Sequence, residues 1–170
     1  ASDSAEQKRL IGADSETDGA YNMAKVKAIS GWETKYPAFK WCADLGEGWY
    51  LPSKEELITI YKNKDKVNSN LTDKLSSSWY WSSTESNCQT SFGAFCAWSV
   101  SMSSGHLRSG NKSDYDYSCV RAVTAFGDSS RTESAVTTVS NSKTTAPYKV
   151  GDYYNDGVKE GVVFEVSADG

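Results

Sequence analysis

Few side chains in this 170-residue chain are of a type that does chemistry, and their spacing narrows the choices quickly. The single histidine, His106, sits in the turn-like run SSGHLRSG with no G-x-S-x-G nucleophile signature near it, so it reads as a surface residue rather than a general base. Cysteines at 42, 88, 96 and 119 have no C-x-x-C spacing, which argues against a zinc knuckle or a thioredoxin-like motif. Their even number in a Ser/Thr-rich acidic chain favours disulfides and an oxidising compartment over four buried thiols, with three pairings open. Asp14, Glu16, Asp18 and Gly19 imitate the front of an EF-hand loop, but the twelfth position falls on Lys25, where a bidentate Glu is required. Capping the next helix accounts for Asp18, and turn formation accounts for Asn155 and Asp156. The expectation is a non-catalytic protein with no cofactor and no metal centre.

Recognition chemistry is better represented. Tyr115 and Tyr117, together with Arg108, Asn111, Asp114 and Asp116, form a polar aromatic run of the kind that stacks on sugar rings; ordinary solvated loop is the competing reading. Aromatics make up 12% of the chain, with 6 Trp and 10 Tyr, and large rings must therefore supply much of the buried area. A formal charge of −4 argues against nucleic acid and anionic membranes as partners. No apolar run approaches the roughly 18 residues of a membrane-spanning helix. The chain opens ASDSAEQKRL, without an initiator Met or signal peptide, and reads as a processed product or an excised piece.

The elements that must position these groups are legible in outline. Asp18 caps a helix over 20–29 whose apolar positions are Ala20, Met23, Ala24 and Ile29. Pro37 opens a second helix ending at Leu45, with Ala38, Trp41, Cys42 and Leu45 on its inner face and Gly46 as the stop. After the extended GWYLP, Ser53 and Glu56 form a capping box for a third helix with a stripe of Leu57, Ile60 and Tyr61. The polar stretch 62–78, anchored by Val67, Leu71 and Leu75, reads as loop with one further turn of helix. From Trp79 the period becomes two: alternation over 92–102 predicts a strand burying Cys96 and Trp98, 107–112 returns, and 119–126 closes the sheet. Helices first and an antiparallel sheet second define an α+β layout with two to three helices on a twisted sheet, over residues 1–126.

Residues 127–147 are a different material. Ten of these 21 positions are Ser or Thr and none is aromatic, which marks a linker. Beyond it, 148–170 carries two β-rich runs about Asn155-Asp156-Gly157, a hairpin signal. An isolated hairpin cannot bury its apolar face, so Tyr148, Val150, Tyr153, Val162, Phe164 and Val166 must dock on something.

Four motifs in order, GWYLPSKEEL (48–57), YWSSTE (80–85), AWSV (97–100) and CVRAV (119–123), resemble bacterial extracellular C-type-lectin-like modules. That family includes the C-terminal domains of collagen-like adhesins and surface proteins of gut bacteria, and the resemblance covers about residues 10–126. It implies a long disulfide from Cys42 to Cys119 and a short one from Cys88 to Cys96. It also implies that 148–170 is the leading strand segment of such a module, displaced to the end of the chain. The hairpin then closes its own sheet, completes a neighbouring copy, or begins the next domain of an array, with the two inter-copy readings preferred. Repeated donation builds an open filament. Formylglycine-generating enzymes share the broad fold, but their reactive cysteines are here assigned to disulfides. Trp98-Ser99-Val100 stands where calcium-dependent sugar-binding lectins carry a Trp-Asn-Asp triplet, so that mode of binding is not expected. The functional expectation is a secreted or surface-borne adhesive module whose partners are copies of itself. The alternative is a monomeric lectin-like domain gripping a glycan or host protein through loops 84–91 and 103–117.

Overall fold

The computed structural model describes residues 9–89, 95–112, 118–124, 153–155 and 160–162. The chain forms α1 (Gly19–Lys27), α2 (Trp32–Lys35), α3 (Pro37–Ala43), β1 (Trp49–Tyr50), α4 (Lys54–Lys62) and α5 (Lys64–Asn70). Six further strands follow: β2 (Trp79–Gln89), β3 (Phe95–Ser101), β4 (Leu107–Asn111), β5 (Val123–Thr124), β6 (Tyr153–Asn155) and β7 (Glu160–Val162). Helices thus precede an antiparallel sheet of order β2-β3-β4, and β1 pairs with β5 in a second, two-stranded sheet. The architecture is α+β.

Each helix starts where its capping chemistry allows. The Asp18 side chain accepts from Tyr21 N–H at the head of α1, Pro37 occupies the first turn of α3, and the Ser53/Glu56 capping box is complete at α4. Leu57 and Ile60 of α4 enter the main core with Met23, Cys42, Tyr50, Leu51, Val67, Leu75, Tyr80, Val100 and Met102. Val67 lies on α5, so the polar stretch after α4 holds nearly two turns of helix.

Several inward faces differ from the periodic reading. Ala20 and Ala24 are exposed, and α1 instead buries Asn22, Met23 and Val26. The reason is polar: Asn22 accepts from Ser15 N–H (2.9 Å) and donates to Ser15 O (2.8 Å) and Ser83 Oγ (3.0 Å). On α3 only Cys42 is fully buried, while Trp41 and Leu45 are exposed, 48% and 49%. Cys96, Val100 and Met102 fill the core, but Trp98 is only half-buried. The stretch read as loop 84–91 begins inside β2, which continues to Gln89 through two register shifts against β3. The closing strand is reduced to β5 and an isolated bridge between Cys119 and Tyr80.

The far edge of β2 is closed in pieces rather than by a strand. Trp81 N–H donates to Cys119 O, Ser83 N–H to Pro52 O and Glu85 N–H to Ala13 O, at 2.7–3.0 Å. These three contacts satisfy backbone groups that would otherwise form an open edge. Beneath them the Glu56 carboxylate accepts from Ser53 N–H (2.6 Å), Gly19 N–H (3.2 Å) and the Tyr50 hydroxyl (2.9 Å). Burial pushes that carboxyl above its ordinary range, and these donors pull it back.

Gly19 sits in the tightest part of this junction. A Cβ there would lie 2.6 Å from Leu51 O and 2.7 Å from Glu56 Oε2. Gly19→Ala should therefore destabilise the fold by about 2 kcal/mol, overpacking outweighing the gain in helix propensity of about 1 kcal/mol. Urea denaturation checks this through a lowered midpoint at unchanged slope.

Candidate functional site

Three features have the make-up of sites: an apolar cavity, an acidic aromatic pocket and the cysteines. The cavity is about 200 Å3 and lies between residues 11–13, the α2–α3 turn and the face of β2 and β3. Tyr36, Phe39, Leu51 and Trp81 give it an aromatic and aliphatic lining. At its rim the Glu85 carboxylate accepts from Ile11 N–H (2.9 Å), Gly12 N–H (2.9 Å) and Ala13 N–H (3.2 Å). It also pairs with Lys112, both side chains being nearly inaccessible. Ser82 Oγ donates to Trp98 O, and Ser83 Oγ accepts from Asn22. The polar groups of Glu85, Lys112, Ser82 and Ser83 at the cavity are thus engaged, which favours an apolar occupant.

The second feature, about 300 Å3, opens between residues 10–16 and the distal part of β2, with Trp98 of β3 as its aromatic wall. Asp14, Glu16, Glu85, Ser86 and Asn87 supply its polar lining. The Lys54 ammonium lies 5.2 Å from the Trp98 ring centroid and pairs with Glu16.

The residues expected to bind a ligand are partly placed. Arg108 lies on β4 with its guanidinium 4.6 Å from the centroid of Trp79 and donates to Ser118 Oγ, so its charge is spread over an aromatic face. Asn111, also on β4, is half-buried opposite Cys96. Asp114, Tyr115, Asp116 and Tyr117 lie outside the described residues. Of the expected docking residues, Tyr153 and Val162 are register partners on β6 and β7, and Tyr148, Val150, Phe164 and Val166 lie outside the described residues. The linker 127–147 does too. The sequence reading missed Asp14, Asn87 and Trp98 as neighbours. They are remote in sequence, and the contacts of residues 11–15 with Thr84 and Glu85, together with the pairing of β2 and β3, bring them together.

Cys42, Cys88 and Cys119 are free thiols in the structure, so neither pairing implied by resemblance is made in it. Cys96 stands opposite Ser86 on the neighbouring strand, two positions before Cys88, while Cys42 and Cys119 both pack at the main core. Burial pushes the Cys42 thiol up to about 12, whereas Cys88 is exposed. No cluster of three or more metal-ligating side chains occurs among the described residues, and no described helix is long and apolar enough to cross a membrane.

Small helices packed on antiparallel sheets define the class: an α+β domain. The chain belongs to the Lcl C-terminal domain family, a bacterial domain family whose profile matches residues 12–124. No curated protein and no solved structure matches it.

Two outcomes follow from this geometry. Glu85→Ala should cost about 3–5 kcal/mol, because it strands the buried Lys112 ammonium together with three N–H groups; thermal and urea melts measure the loss. In the reduced native protein, iodoacetamide at neutral pH should label Cys88 first and Cys42 only after unfolding, since the thiolate is the nucleophile. Peptide mass mapping over time reads the order.

Proposed function

We propose that this chain is a non-catalytic, C-type-lectin-like adhesive module, secreted or surface-borne, in which residues 148–170 of one copy complete the fold of a neighbour. The observation that carries this reading is that β6 and β7 pair with each other and, among the described residues, with no other strand. Their register joins Tyr153 to Val162, Tyr154 to Gly161 and Asn155 to Glu160. A two-stranded hairpin is at best marginal alone in water and gains stability by packing an apolar face on a partner. The cavity beside Trp81 suits such a partner, having the volume of one aromatic side chain and a mainly apolar lining. In this reading the secreted protein is oxidised, with Cys42 joined to Cys119 and Cys88 to Cys96.

A second reading, a lectin-like domain that grips a glycan or protein through residues 84–91 and 103–117, is favoured by the pocket at Asn87 and Trp98. The two are compatible, since an assembly can display binding surfaces.

Size-exclusion chromatography with light scattering tests the first reading. The full chain should form concentration-dependent oligomers, and deletion of 148–170 should give monomers that bind the deleted segment as a peptide. An oligomeric state unchanged by the deletion rejects strand donation.

A further inference from the structure

We propose that the pocket at Asp14, Asn87 and Trp98 is a binding site for one uncharged pyranose ring. Its hydroxyls would bond to Asp14 and Asn87 and its C–H face would lie on the indole. This rests on the lectin-like binding reading and moves it away from Tyr115 and Tyr117.

The charge distribution narrows the ligand. Three carboxylates line the pocket, but Glu16 is paired with Lys54 and Glu85 with Lys112. Asp14 is exposed and holds no hydrogen bond or ion pair among the described residues, and the same is true of the Asn87 carboxamide. A carboxylate accepts from hydroxyls, and a carboxamide both donates and accepts, which is the complement of neighbouring sugar hydroxyls. The uncompensated Asp14 charge disfavours sulfated or uronic-acid polymers.

The aromatic wall is pre-positioned. The Lys54 ammonium sits over Trp98 while held by Glu16, and the Lys54 backbone N–H is bound by Thr84 Oγ1 (3.0 Å). The indole therefore loses little freedom on binding, which is the chief way a shallow site keeps affinity. A volume of about 300 Å3 is at the small end for ligand pockets and suits a single ring.

The test is a two-dimensional NMR titration of the full chain with methyl glycosides of glucose, galactose, mannose and N-acetylglucosamine. At least one should shift the Trp98 indole N–H signal saturably. Asp14→Ala and Asn87→Ala, both at exposed positions, should each weaken that glycoside about tenfold, the effect of one lost hydrogen bond to a charged or amide partner. Trp98→Phe should retain part of the binding that Trp98→Ala loses. Shifts elsewhere with the Trp98 signal unmoved would overturn this pocket while leaving the lectin-like reading standing. Silence with all four glycosides would overturn both. Undiminished affinity in the Asp14→Ala and Asn87→Ala variants would also overturn the assignment.

Discussion

The fold hangs on a segment with no regular structure of its own. Residues 11–18 run along the edge of β2 and lead into Gly19 of α1, and buried side chains meet their backbone groups where a paired strand would otherwise do so. Glu85 takes three successive N–H groups, Asn22 brackets Ser15, Thr84 Oγ1 donates to Ser15 O, and Glu56 receives Gly19. Each of these bonds exchanges water for protein and nets about 1 kcal/mol, but losing one partner strands a desolvated group at greater cost. The arrangement therefore holds or fails together, and it ties α1 and α4 to the sheet.

The two pockets are consequences of that clamp. Lys112 neutralises Glu85 and leaves the neighbouring cavity with a mainly apolar lining. Lys54 neutralises Glu16 on the other side of the same segment, and the charge that remains open there belongs to Asp14. Opposite polarity in adjacent depressions thus follows from which carboxylate each lysine reaches.

What could be read from the residues was what local rules govern. The Asp18 cap, the Pro37 start and the Ser53/Glu56 box placed three helices within a few residues of their observed limits. Alternation placed β3, and the Asn-Asp-Gly turn signal placed the hairpin. Periodicity misjudged α1, because it counts alanines as interior and has no means of knowing that Asn22 finds three partners there. It placed Trp41 and Leu45 inside, although α3 ends at Ala43 and so carries Leu45 off its face, and Trp41 stays exposed beside the buried Cys42. The helix α2 escaped notice, being four residues without a capping side chain.

The candidate sites were less legible than the frame. Tyr115 and its neighbours drew attention because they are contiguous, whereas Asp14, Asn87 and Trp98 are separated by 73 and 11 positions and carry no motif. The amino-acid sequence by itself determined the class of fold, the helix starts, the strand period and the pairing of β6 with β7, since capping, turn chemistry and alternation act over a few residues. Tertiary structure alone decided which polar residues lie inside, which lysine quenches which carboxylate, and where the pockets open. Those outcomes depend on contacts between segments distant along the chain, and no local pattern encodes a bond such as that from Glu85 to Ile11 across 74 residues.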